Sequence, residues 1–311
     1  MTPPVWRGTS LACQAYIPRI KPAVYVLRTV LTALRAEGLL KRLWLIVLVV
    51  WSMLPSGSLA QSWSDVVAPA SGLPRAVGSY TAGCVQGAVA LPPEGPGFQT
   101  MRRYRRRFFG HPTLIRYLQD LAAATTQQSL GILSIGDLGQ ARGGPAPSGH
   151  ASHQTGLDVD IWFWLLPNGH PLPAAERETV SAFSMVMSDS RMLDRSQWSP
   201  QHAQLLRVAS EFEVVERIFV NPVIKQGLCR QSPGAPWLHK LRPWWGHDDH
   251  FHVRLRCPTG DAECQVQEPI PPGDGCGADL AWWFTEEARK PQPRTGVKAP
   301  LPLACDAILR K

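Results

Sequence analysis

Two segments far apart in the chain, residues 148–162 and 245–254, hold most of its metal-binding side chains. They supply five of the nine histidines, His150, His153, His247, His250 and His252, and the first adds the carboxylates Asp158 and Asp160. On a strand that begins at His250, side chains alternate, so His250 and His252 share one face while Phe251 and Val253 point back into a core. Asp160 lies on a second strand, and His153 stands seven residues earlier, at the loop leading into it. Two imidazoles and a carboxylate suit zinc, at about 2.0–2.2 Å from the ion, and leave a fourth position for water. Such an ion lowers the pKa of its water to about 7 and polarises a scissile carbonyl. A neighbouring imidazole outside the coordination shell can then take or give the proton. H-x-H alone, or an Asp-x-Asp strand alone, carries little; the joint occurrence of H-x6-D in a glycine-rich setting with H-x-H points to a metal and to hydrolysis. His111, His170, His202 and His239 are read as structural.

The elements that must position these groups can be placed from periodicity. Pro112 suits the first turn of a helix through about Gln128, with Leu114, Ile115, Leu118 and Leu121 facing inward. Residues 130–136 read as a buried strand, and 141–149, with three glycines and two prolines, as a loop. Gly156 to Trp164 is the next strand, with Leu157, Val159 and Ile161 on one face and Asp158, Asp160 and Trp162 on the other. A second helix opens at Ser199–Pro200 and runs to about Phe212. Residues 216–221 form a strand followed by a short helix to Cys229, and His250 to Cys257 a strand of clean alternation. There is no internal repeat and no linker long enough to separate two catalytic domains. The expected fold is α+β: a single domain with a central, mostly antiparallel sheet flanked by helices and loops, stapled by disulfides.

The formal charge of +8 over 311 residues suggests a polyanion partner until its location is considered. Residues 1–60 hold seven Lys/Arg and one acidic residue, and the remaining 251 hold 25 basic and 23 acidic groups. A nucleic-acid partner is therefore not indicated. Lys41–Arg42, the apolar run from Leu43 to Trp51 and Ser58–Leu59–Ala60 form the n-region, h-region and cleavage site of a signal peptide. The run is short for a bilayer span, so no stable membrane insertion is expected after cleavage; the alternative is an uncleaved N-terminal anchor. Apart from Cys13, the cysteines Cys84, Cys229, Cys257, Cys264, Cys276 and Cys305 are even in number and form no C-x-x-C pair, which fits an oxidising compartment. Cys257–Cys264 is the easiest local bridge, Cys84 to Cys305 would tie the mature start to the end, and Cys229–Cys276 is left over. Spacing does not select this pairing from the 15 available. The expected organisation is an N-terminal extension and signal peptide over 1–60, an extended arm over 61–97, a domain carrying the zinc site over 98–305 and a tail over 306–311.

Gly110-His-Pro, Gly136-Asp-Leu, Arg142-Gly-Gly-Pro, the run from Gly149 to Trp162, Arg217-Ile-Phe-Val-Asn221 and the run from Trp245 to Cys257 resemble the penicillin-insensitive murein endopeptidases. These are periplasmic zinc peptidases related to lysostaphin, the D-alanyl-D-alanine metallopeptidases and hedgehog. The resemblance covers roughly Cys84 to Cys305. It implies that His153, Asp160 and His252 are the zinc ligands and that His250 is the proton shuttle or oxyanion stabiliser. It also implies that His150 and His247 line the site, to orient substrate, assist catalysis or, for His150, hold a second metal. The implied substrate is crosslinked peptidoglycan, cut between D-alanine of one stem peptide and the meso-diaminopimelate side chain of the next, in the periplasm. With water in place of a serine nucleophile, no acyl-enzyme forms for a β-lactam to trap.

Arg102, Arg103, Arg105, Arg106 and Arg107 are read either as contacts for stem-peptide carboxylates or as a solvated face. Trp162, Trp244, Trp245, Trp282 and Trp283 are read chiefly as core, and Asp158 as a support for a ligand histidine. The competing functions are a zinc D,D-carboxypeptidase and a non-catalytic zinc-containing module that binds cell wall.

Overall fold

In the computed structural model the two histidine-bearing strands lie side by side, hydrogen-bonded and antiparallel. The structure describes residues 62–147, 151–166, 169–189, 191–290 and 299–311; the expected signal segment, His150 and most of the proline-rich stretch 291–302 lie outside the described residues. The strands are β1 (Arg75–Ser79), β2 (Ala82–Gln86), β3 (Val89–Ala90), β4 (Glu94–Gly95), β5 (Phe98–Thr100), β6 (Phe109–Gly110), β7 (Ile132–Ile135), β8 (Asp158–Leu166), β9 (Val215–Val220), β10 (Leu241–Pro243) and β11 (His250–Leu255). A seven-stranded sheet runs in the order β10–β9–β11–β8–β7–β5–β4. Only β10/β9 and β5/β7 pair in parallel within it. β1 with β2 and β3 with β6 make separate antiparallel ribbons. This is the expected α+β domain on a mostly antiparallel sheet.

The helices are α1 (Pro112–Gln127), α2 (Ala174–Thr179), α3 (Pro200–Glu211), α4 (Pro222–Gln231), α5 (Ala278–Trp282), α6 (Glu286–Arg289) and α7 (Leu303–Arg310). None of the described helices is long and apolar enough to cross a membrane. Each of the three long internal ones starts with proline at a position whose N–H would have no helical partner. His111 Nδ1 accepts from the backbone N–H of Thr113 to cap α1, and Asn221 Oδ1 accepts from that of Val223 to cap α4. At α3, Ser199 and His202 form a reciprocal capping box in which imidazole replaces the usual carboxylate. His111 and His202 are structural, as expected, whereas His170 is exposed.

α1 packs against β7 and α3, and α3 against β9. Leu118, Leu121, Leu133, Val159, Ile161, Phe251 and Val253 are fully buried between these layers. Each such side chain contributes about 1.5–3 kcal/mol, and truncating a leucine such as Leu121 to alanine costs about 2–5 kcal/mol. The apolar residues of β8 and β11 are committed to this core, so their alternate residues, Asp158, Asp160, His250, His252 and Arg254, emerge together on the other face.

Two expected boundaries are corrected. The stretch 61–97 is not an extended arm: it holds the β1–β2 ribbon, with every residue of β2 buried, and the edge strands β3 and β4. Several of its glycines stand where neighbours press close. A Cβ on Gly83 would lie 2.4 Å from the carbonyl oxygen of Val77 and 2.7 Å from Thr155. Residues 306–311 are not a loose tail either, because α7 buries Cys305 and Ile308 in a cluster with Trp63, Val77 and Cys84. Arg142 Nη1 donates to the carbonyl oxygen of Leu309 at 2.6 Å, satisfying the end of that helix. Disulfides join Cys84 to Cys305, Cys229 to Cys276 and Cys257 to Cys264.

Candidate metal centre

The register of β8 and β11 builds the centre. His252 lies directly opposite Asp160, Arg254 opposite Asp158 and His250 opposite Trp162. Facing side chains on neighbouring strands are in contact range, and His252 Nδ1 comes within 3.1 Å of Asp160 Oδ1. His153 enters from the turn before β8, at a positive φ of 69°. That turn is held by Asp158 Oδ2, which accepts the His153 backbone N–H at 3.2 Å. Gly156, also at a φ of 69°, passes so close to α1 that a Cβ would lie 2.9 Å from the backbone nitrogen of His111. The result aims His153 Nε2 at Asp160 Oδ1, 3.4 Å away. His153, Asp160 and His252 are all buried, and one donor atom from each lies within 4.8 Å of the others. Two imidazole nitrogens and a carboxylate oxygen this close form a donor set that fits zinc.

The surroundings are built to hold those donors in one state. Asp158 is fully buried, and its Oδ1 accepts from His252 Nε2 at 2.8 Å and from Arg254 Nε at 2.6 Å. A proton on Nε2 of His252 presents the Nδ1 lone pair toward Asp160, so this contact selects the tautomer that can ligate. Burial opposes ionisation of Asp158, but Arg254 and His252 hold its carboxyl well below the usual range. Burial likewise opposes ionisation of Asp160, and His153 and His250 bring it well below the usual carboxylate value. Burial disfavours the charged form of His153, yet Asp160, helped by Asp158 and Asp137, raises it overall.

His250 stands just outside the trio, with Nε2 at 3.7 Å from Asp160 Oδ1. Its Nδ1 is hydrogen-bonded to Asp249 Oδ1. Burial lowers His250, but Asp160 and Asp249 together raise it above an ordinary histidine. His247 is buried beside it, with ring centroids 5.0 Å apart. Asn221 fixes the turn that carries His247: its backbone N–H donates to His247 O at 2.9 Å and its Nδ2 to Gly246 O at 3.1 Å. His150 is outside the described residues.

Two hollows border residues of the donor set and the histidines beside it. One of about 270 Å³ borders Asp160 and His250 and is lined also by Arg102, Arg105 and Trp162. The other, of about 400 Å³, borders His247 and His252 and is walled by Arg217, Phe219 and Trp244. Trp162 and Trp244 therefore line the hollows, whereas Trp283 contacts Trp244, Trp245 and Trp282. Sequence reasoning passed over Asp249, Arg254 and Asn221. Arg254 was within reach, since period 2 puts it on the face of His252; Asp249 was not, because adjacency in sequence does not tell which way a turn aims its carboxylate.

The buried trio of His153, Asp160 and His252 could hold a metal ion, and a carboxylate-supported histidine, His250, stands beside it. The family model of the penicillin-insensitive murein endopeptidases matches residues 76–310. The penicillin-insensitive murein endopeptidase of Klebsiella pneumoniae is 45% identical over 269 residues, which cover 85% of this chain and 97% of that protein. The Yersinia pestis protein of the same name is 41% identical over 271 residues, with 86% and 96% covered. That of Salmonella arizonae is 43% identical over 268 residues, with 85% and 96% covered. The chain belongs to the penicillin-insensitive murein endopeptidase family.

Proposed function

We propose that this protein is a zinc-dependent murein D,D-endopeptidase of the periplasm, that His153, Asp160 and His252 hold the ion, and that the bond cut is the D-alanyl–meso-diaminopimelyl crosslink. The observation that carries this reading is the convergence of those three buried donors within 4.8 Å, Asp160 and His252 by strand register and His153 by the turn before β8. The signal-peptide pattern at Lys41 to Ala60 and the six paired cysteines support an exported location.

When bound, zinc supplies Lewis acidity to the scissile carbonyl and to water. The rest is assigned to side chains. Asp158, itself anchored by Arg254, keeps the His252 ring in the ligating tautomer. Asp249 accepts from Nδ1 of His250, so the proton in play is carried at Nε2, the nitrogen facing Asp160. His247 lies next to that imidazole and is assigned the stabilisation of negative charge that builds on the carbonyl oxygen in the transition state. Arg217, Phe219 and Trp244 wall the far hollow, where the peptide on that side of the cut is gripped.

The two hollows favour an endopeptidase over a carboxypeptidase, because a substrate that continues past the cut needs room in both directions. The pairing of His250 with Asp249 argues against a non-catalytic module, which has no use for a supported proton carrier. Zinc-loaded protein incubated with crosslinked muropeptide dimers, with and without a chelator, tests the reading by the mass of the products. Monomers that appear only without chelator are expected. Intact dimers would refute it, and trimming of terminal D-alanine with the crosslink intact would make it a carboxypeptidase.

A further inference from the structure

The arginine-rich loop before β6 divides its labour. Arg103 is structural: its Nη1 donates to Leu91 O at 2.8 Å and Thr100 Oγ1 at 3.1 Å, and its guanidinium lies 3.7 Å over the Phe108 ring. Arg107 and Arg105 both send Nη1 to a single oxygen, Asp137 Oδ2, each at 2.9 Å. Arg102 has neutral acceptors, Val180 O at 3.2 Å and Ser181 Oγ at 2.9 Å, and lies 5.3 Å from the Trp162 ring centroid. Arg102 and Arg105 line the hollow that borders Asp160 and His250, and Asp137 is ion-paired to Arg105 there. Asp160 and Asp249, the other acids lining this hollow, are engaged with histidines.

The loop is held in shape in advance. Arg102 and Arg106 sit at positive φ, 53° and 54°, at its two ends. Glu178 of α2 clamps the turn between them, Oε1 accepting from the Arg103 N–H at 3.2 Å and Oε2 from that of Tyr104 at 3.0 Å. Left-handed backbone at non-glycine residues persists where surrounding contacts enforce it, as they do here, and such strain gathers at binding sites. Trp162, beneath Arg102, is the residue paired across the strands with His250.

We propose that this hollow is the subsite for a free carboxylate of the murein peptide, the one borne by the same carbon as the leaving nitrogen, and that Arg102, with Arg105, recognises it. The inference rests on the endopeptidase reading above. In a diaminopimelyl crosslink the acylated nitrogen and a free carboxylate share a carbon. A histidine that delivers a proton to that nitrogen must therefore have the carboxylate close by, and the hollow that His250 borders is the one lined by Arg102, whose hydrogen-bond acceptors there are neutral, and by Arg105. Arginine offers a planar fork of donors matched to a carboxylate.

The test compares two crosslinked muropeptide dimers that differ only in whether this carboxylate is free or amidated, using the zinc-loaded protein. Wild type is expected to show kcat/KM about 10–100-fold higher on the free acid, the range for a charge-assisted hydrogen bond. Arg102→Gln should lower kcat/KM on the free acid by a similar factor and on the amide far less, so that the ratio falls toward one, with zinc content retained. Equal cleavage of both dimers by wild type would overturn the proposal, and that comparison needs no variant to fold. A variant that slows both dimers alike would also overturn it, by making Arg102 merely structural. Failure to cleave either dimer would instead bring down the endopeptidase reading itself.

Discussion

Replacing Asp158 by Asn isolates the part of the site that touches neither metal nor substrate. The carboxylate accepts three hydrogen bonds with no exposure to solvent: Oδ1 from His252 Nε2 at 2.8 Å and Arg254 Nε at 2.6 Å, and Oδ2 from the His153 backbone at 3.2 Å. A carboxamide has one acceptor oxygen and one donor nitrogen. If the oxygen keeps His252 and Arg254, the His153 N–H faces an amide donor and the turn before β8 loosens. If the amide flips, His252 and Arg254 lose their acceptor. At least one buried donor is left unpaired in either case, at about 1–3 kcal/mol each, and the bonds that survive lose the charge on their acceptor. A loss of ~2 kcal/mol corresponds to a Tm lowered by ~4–8 °C for a domain of this size. Because the tautomer of His252 is no longer enforced, zinc affinity should weaken about 10–100-fold. Chelator competition gives the zinc Kd, and melting of the metal-free protein gives the folding cost. Wild-type zinc affinity in Asp158→Asn would refute the argument that Asp158 orients the ligand, whatever happens to Tm.

Further outcomes follow from the same geometry. His252→Ala should abolish both zinc binding and activity, whereas His250→Ala should retain zinc and lose about 100–10,000-fold in kcat; loss of zinc in the latter would move His250 into the ligand set. His153 and His250 are both raised above the ordinary histidine value by Asp160, against the effect of burial. Of the two, His153 is the one assigned to the ion, so protons compete with zinc to a higher pH than at an ordinary histidine, and metal binding near neutrality should release protons. For the metal-free protein the sign is opposite: stabilisation by the charged imidazoles is complete below about pH 6.5 and is lost as pH rises through the folded-state values. Zinc titrations and melts at about pH 6 and about pH 8 check both signs. Replacing Cys84 and Cys305 together by Ser should cost about 2–5 kcal/mol, read as a lower Tm, since this bridge closes a 221-residue separation and pins α7 to β2; an unchanged Tm would contradict that role.

The strands and helices that carry the site were legible because each side chain there serves one face. The alternation from His250 to Cys257 could not be a helix, and Ser199–Pro200 marked a helix start that the structure places at Pro200. Register was not legible. Nothing local says that His252 faces Asp160 instead of Asp158, and that one-pair choice decides which aspartate belongs to the donor set and which supports it. The ribbon at Arg75 to Gln86 was misread as an extended arm because its small residues resemble a linker in composition; Gly83 stands where β1, β2 and the turn at Thr155 approach closely. The helix from Leu303 was hidden for a related reason. Its buried face is short, and what it packs against, Trp63 and Cys84, lies at the other end of the chain.

The central claim is that one zinc ion lies between His153, Asp160 and His252. A crystal of the zinc-loaded protein, measured on both sides of the zinc absorption edge, tests it most directly. One strong anomalous peak is expected at about 2.0–2.2 Å from His153 Nε2, an Asp160 carboxylate oxygen and His252 Nδ1, with His250 Nε2 outside that distance. A peak held by a different set of side chains, or no peak at these three in a preparation that cleaves murein crosslinks, would contradict it.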